Sequence, residues 1–136
     1  MGMYTELLIK SDIIRELPEN VKYILDFLFN PSSNIDIWDE NMKIKLDISL
    51  PDHEFFKCER WDQIGRCNSY YHIPASCNFF DGSYLFSRSD LKDYDNEINF
   101  FIDWVMPYLE EEEGKLLGWK WYEEWNEPEF IYMKNK

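Results

Sequence analysis

His53, Cys58, Cys67, His72 and Cys77 fall within one stretch and have the side-chain chemistry of zinc ligands. Structural zinc sites usually take two thiolates from one turn through a Cys-x2–4-Cys pair, and no such spacing occurs here. The expectation is ordinary buried or half-buried thiols and no metal. A Cys/His nucleophile pair would have to be assembled by the tertiary fold, since these residues carry no local signature for one. Glu123-Glu124 beside tryptophans has the composition of a sugar cleft, in which one carboxylate acts as acid and the other as base or nucleophile. Neighbouring strand residues point to opposite faces, however, so these two would converge only at a bulge. Gly-x-Gly-x-x-Gly and P-loop patterns are absent, and 5 Gly leave few loops to cradle phosphate. The chain is therefore expected to be non-enzymatic and to use no cofactor.

Binding is the chemistry left to consider. Glu110, Glu111, Glu112, Glu113, Glu123, Glu124, Glu127 and Glu129 surround Trp119, Trp121, Tyr122, Trp125 and Tyr132. Carboxylates spread along a surface present negative charge to a basic groove, and an exposed Trp can anchor the contact. The candidate partner-binding set is Glu110 to Glu113, Glu123, Glu124, Trp125 and Glu127. Trp119 and Trp121 read more naturally as core residues, with the glutamates as a solvated rim. Trp125, in a loop, reads equally well either way.

The elements that must position these residues follow from periodicity. Tyr4 to Lys10 alternates as a strand, with Thr5, Leu7 and Ile9 on one face. Pro18 and Glu19 open a helix whose stripe is Val21, Ile24, Leu25 and Leu28, ending near Asn30-Pro31-Ser32-Ser33. A strand is predicted over Lys43 to Leu50. Phe55, Phe56, Trp61 and Ile64 form one or two short helical turns against the core. Ser69 to Phe80 reads extended, and Asp81-Gly82 before Tyr84-Leu85-Phe86 marks a hairpin. Asp95 is the expected N-cap of a helix carrying Ile98, Phe101, Ile102, Val105 and Leu109, kinked or ended by Pro107. Lys115 to Tyr122 is a strand with Leu117, Trp119 and Trp121 on one face, and Phe130 to Met133 is its returning partner. This order predicts one α+β domain over residues 1–136: a mostly antiparallel sheet with two helices on one face, ferredoxin-like with an extra strand.

Composition limits the partners. The 14 Lys and Arg against 27 Asp and Glu leave a net charge of −13, which repels phosphate backbones and anionic membranes and attracts basic protein surfaces. The same charge also serves plain solubility. Three cysteines without a close pair point to a reducing compartment, and no apolar run approaches the roughly 20 residues of a membrane span. A cytoplasmic protein is expected.

Three groups of segments resemble small acidic proteins carried by phages and other mobile elements. They are Leu50-Pro51-Asp52-His53-Glu54-Phe55-Phe56-Lys57 with Arg60-Trp61; Leu91-Lys92-Asp93-Tyr94-Asp95-Asn96-Glu97-Ile98 with Trp104 and Pro107-Tyr108; and Gly118-Trp119 with Tyr122-Glu123-Glu124, Glu127-Pro128 and Ile131-Tyr132. The resemblance covers most of the chain beyond Pro51 and carries no active-site signature. It implies a setting in which such proteins block a defence protein or a toxin by occupying its active or nucleic-acid-binding surface, as anti-CRISPR and immunity proteins do. If phage-encoded, the chain would work in the host cytoplasm. The leading expectation is a non-enzymatic acidic inhibitor of a basic, nucleic-acid-binding type of surface. The alternatives are a small-ligand or nucleotide-sequestering module, an immunity protein, or an enzyme of unknown reaction.

Overall fold

Alternation in the first strand decides which way the molecule faces. In β1 (Thr5–Asp12), Thr5, Leu7, Ile9 and Ser11 are buried, while Glu6, Leu8, Lys10 and Asp12 point the other way and are at least partly accessible. The computed structural model describes residues 3–29, 50–67 and 77–134. The strand predicted over Lys43 to Leu50, except for Leu50 itself, lies outside them, as do His72 and the first part of the extended stretch from Ser69.

Helix α1 (Glu19–Phe29) begins just after Pro18, whose carbonyl accepts the Lys22 N–H at 2.9 Å. Proline suits this place because an N–H there would have no helical partner. Val21, Ile24, Leu25 and Leu28 are buried as the 3.6-residue period requires, and Phe27 and Phe29 join them. A short helix, α2 (Glu54–Lys57), and the 3-10 turn Trp61–Gln63 bring Phe55, Trp61 and Ile64 into the same core. Phe55 is its aromatic centre, with ring centroids 5.9 Å from Trp61, 5.5 Å from Phe101 and 5.8 Å from Trp104. Each such pair adds about 0.5–1.5 kcal/mol beyond its buried area.

Strands β2 (Cys77–Phe80) and β3 (Tyr84–Leu91) form the expected hairpin. At the turn Gly82 takes φ +94, while Asp81 contributes its carboxylate: Oδ1 accepts the N–H groups of Ser83 and Tyr84 and the Ser83 hydroxyl.

Helix α3 (Glu97–Val105) starts differently from the expectation. Asn96, not Asp95, occupies the N-cap with φ 65, and this left-handed residue turns the chain so that Asp93 reaches the first turn. Asp93 Oδ1 accepts the Ile98 N–H at 2.9 Å, and Glu97 Oε1 accepts the Asp95 N–H at 3.1 Å. Pro107 ends the helix as predicted, in the 3-10 turn Met106–Tyr108.

Strand β4 (Leu116–Tyr122) pairs with β5 (Glu129–Tyr132), and here the simple alternation fails. A bulge between Leu116 and Gly118 puts Leu117 in the core, whereas Trp119 and Trp121 lie on the opposite face and are half-buried. The expectation that these tryptophans share the face of Leu117, as core residues, is thereby corrected. Gly118 is required at the bulge because a Cβ there would collide with the Leu8 carbonyl of β1.

The five strands form one sheet in the order β2-β3-β1-β4-β5, antiparallel throughout. The buried side chains of α1, α2 and α3 join Leu7, Ile9, Leu85, Leu91 and Leu117 in a single core on one side of the sheet. The element order is β-α-β-β-α-β, interrupted by α2 and extended by β5 at the edge beyond β4. No helix of the described residues is long and apolar enough to cross a membrane.

Candidate partner-binding face

Residues paired across antiparallel strands share a face, so the registers map the side of the sheet away from the helices. One row runs Phe79, Phe86, Lys10. The next runs across the whole sheet: Cys77, Arg88, Leu8, Trp119, Phe130. A third runs Asp90, Glu6, Trp121. Tyr84 and Tyr132 extend the same face at its margins. Its aromatic side chains are half-buried or exposed, with Phe79, Phe130 and Tyr132 accessible over 50%, 45% and 49% of their surface. The face is thus an aromatic surface with charged residues among the rings, crossed by the Arg88–Glu6 ion pair at 3.3 Å.

The predicted glutamates do not form one group. Glu110 to Glu113 follow the last turn after α3, beside the Asp12 end of β1, where the Glu110 N–H donates to the Asp12 carbonyl at 2.9 Å. Glu123, Glu124, Trp125 and Glu127 lie in the β4–β5 connection at the Tyr4 end. Eight residue rises separate Tyr4 from Asp12, or roughly 26 Å.

One glutamate of each group ties down an end of the central strand. Glu111 Oε2 accepts the Asp12 N–H at 2.8 Å and Oε1 pairs with Lys115 at 3.1 Å. Burial pushes its carboxyl up, but the Asp12 N–H, the Lys115 ammonium and the Ser11 hydroxyl together outweigh this and hold it below its ordinary value. Glu123 Oε1 accepts the Tyr4 N–H at 2.9 Å. Glu110, Glu112, Glu113, Glu124 and Glu127 are exposed. Trp125 is 42% accessible, and its carbonyl accepts the Trp121 indole N–H at 3.0 Å.

Of the other candidates, His53 and Cys58 have structural employment. His53 Nδ1 accepts the Phe55 N–H, capping α2, so its proton sits on Nε2 and donates to Asp103 Oδ2 at 2.9 Å. The Cys58 thiol is buried and donates to the Glu54 and Asp95 carbonyls; burial, then the carboxylates Glu97 and Asp95 among its neighbours, push it up, away from the reactive thiolate. Cys67 is half-buried as expected, whereas Cys77, expected to be at least half-buried, lies exposed because β2 is an edge strand and Cys77 is on its face away from the helices. Among the described residues, no three His, Cys, Asp or Glu side chains are grouped to hold a metal ion.

Sequence reasoning missed Phe79, Phe86, Leu8 and Phe130 as one surface. Strand alternation was the signal available, but pairing register across the sheet was needed to use it. No family model, no curated protein and no solved structure matches this chain.

Proposed function

We propose that this chain is a non-enzymatic acidic inhibitor that occupies a basic, nucleic-acid-binding type of surface on another protein. The observation that carries the reading is the aromatic sheet face running from Phe79 to Phe130, with surplus carboxylates at the two ends of its central strand. The aromatic side chains supply contact area that desolvates well, and the net charge of −13 steers a cationic partner toward it. The resemblance to proteins of mobile elements fits a counter-defence role, anti-CRISPR-like or immunity-like.

A nucleotide-sequestering module draws less support, because the cleft of about 300 Å³ at the Tyr4 end is lined by Glu6, Asp90 and Glu123, which repel phosphate.

The reading is tested by affinity capture from the natural host at about 50 mM and about 300 mM salt, concentrations between which the screening length falls from about 14 Å to about 6 Å. The expected result is a basic partner retained at low salt and largely released at high salt. Capture of nothing at low salt, or of a partner indifferent to salt, overturns it.

A further inference from the structure

Strand β5 ends the sheet and is paired on one side only, with β4. Two observations fix which of its residues turn their backbone outward. Met133 donates its N–H to the Lys115 carbonyl at 2.8 Å and accepts the Gly114 N–H at 2.8 Å, so its backbone faces the start of β4. Along a strand, the N–H and C=O of one residue point to one side and those of the next residue to the other, which turns Tyr132 and Phe130 outward. The far end of the pair agrees. The Glu123 N–H donates to the Tyr4 carbonyl, so Glu123, and by alternation Trp121 and Trp119, face β1. Phe130, opposite Trp119, is therefore not hydrogen-bonded to β4.

Among the described residues, no strand pairs with that outer edge. Beside it lies a groove of about 320 Å³ between β5 and α3, lined in part by Ile102, Met106 and Ile131. Outward N–H and C=O groups two residues apart on an uncovered edge are a template for a further strand. Pro128 and Glu129 guard only its start, and no charged side chain interrupts Phe130-Ile131-Tyr132.

We infer that the strand completing this edge is β5 of a second copy of the chain, paired antiparallel about a two-fold axis at Ile131. The inference is independent of the function proposed above. In this register the strand is complementary to itself. Phe130 of each copy comes opposite Tyr132 of the other, and because both face outward each pair exchanges two hydrogen bonds, four in all. Their rings, 45% and 49% accessible in the single chain, meet as cross-strand aromatic pairs. Lys134 of one copy comes opposite Pro128 of the other, beside Glu127 and Glu129, so opposite charges adjoin at both ends. A slip of one residue would set outward groups against inward-facing ones and lose the hydrogen bonds. The two five-stranded sheets join into one, with both aromatic faces on the same side. A four-residue strand buries less than the roughly 1,200 Å² of stable interfaces, and two chains of charge −13 repel each other, so the dimer is reversible and strengthened by salt.

Sedimentation equilibrium of the full chain at up to about 1 mM, in about 50 mM and about 300 mM salt, tests this. A monomer–dimer equilibrium is expected, shifted toward dimer by the higher salt, which is the opposite sign to the release of a basic partner. Amide hydrogen exchange on the same samples should show the Phe130 and Tyr132 N–H groups protected when concentrated and unprotected on dilution, with Ile131, which faces β4, protected throughout. Tyr132→Pro should weaken dimerisation roughly tenfold and leave the melting temperature of the monomer nearly unchanged, because it removes outward donors alone. A chain that stays monomeric at about 1 mM in about 300 mM salt overturns the inference. So does a dimer in which the Phe130 and Tyr132 amides exchange as fast as in the monomer, since it would use another surface. Neither result bears on the basic-partner reading, which the capture experiment decides separately.

Discussion

The two faces of the sheet are built from alternate residues of the same strands, yet they are finished differently. The helix side gathers Leu7, Ile9, Leu85, Leu91 and Leu117 beneath Phe55, Phe101 and Trp104, all buried. The other side carries Leu8, Phe79, Phe86, Trp119, Trp121 and Phe130, all half-buried or exposed, interleaved with Lys10, Arg88, Glu6 and Asp90. Stability resides in the first face because its side chains lose contact with water and touch one another. The second retains apolar surface without burying it completely, and that surface is what the proposed function assigns to a partner.

The difference is broken most severely from the core side. Phe55→Ala or Phe101→Ala should cost about 3–5 kcal/mol in chemical denaturation, since each removes a fully buried ring from the aromatic cluster. Gly118→Ala comes next, at about 1–3 kcal/mol, because the added methyl meets the β1 backbone rather than a side chain that can swing away.

Two carboxylates should then move stability in opposite directions with pH. Glu97 is almost wholly buried, and burial above all raises its pKa from the ordinary 4.5; the Asp95 N–H and its own backbone N–H oppose that rise, and the neighbouring Asp93 and Asp95 charges add to it. Its ionisation therefore weakens the fold as pH rises through the raised value, and Glu97→Gln should be more stable than the parent at neutral pH. That advantage should vanish below about 4.5. Glu111, held below 4.5, contributes stability that is present above that pH and is lost as pH falls through its depressed folded value. Glu111→Gln should accordingly be less stable than the parent at neutral pH, with the gap closing in acid. Thermal melts across pH 3 to 7, a range that brackets the ordinary carboxylate values, check both signs.

Smallest for stability is the outer face. Phe79→Ser and Phe130→Ser should each change unfolding free energy by no more than about 0.5 kcal/mol. Their effect on capture of the basic partner should be larger, at about 1–2 kcal/mol each, measured as a change in affinity. Equal losses in folding and binding would erase the distinction between the two faces.

Much of this architecture was legible in local pattern. The α1 stripe, the Pro18 start, the Asp81-Gly82 hairpin, the Pro107 stop and the strand order along the chain all depend on neighbours within a few residues, where period and turn chemistry act. The cap of α3 was less legible, because Asn96 adopts a left-handed conformation that passes the capping role to Asp93. The bulge at Gly118 was hidden for a related reason: the close approach of the β1 backbone creates it, and no local period records that approach.

The sequence by itself determined the acidic charge, the α+β class and most of the described elements, since composition and short-range spacing suffice for those. Only the tertiary structure decided that Trp119 and Trp121 leave the core and join Leu8, Phe86 and Phe130 on one face. It alone also separated Glu110 to Glu113 from Glu123 to Glu127 by the length of β1. Cross-strand register and a one-residue bulge make those assignments, and both are set by contacts between residues far apart in the chain.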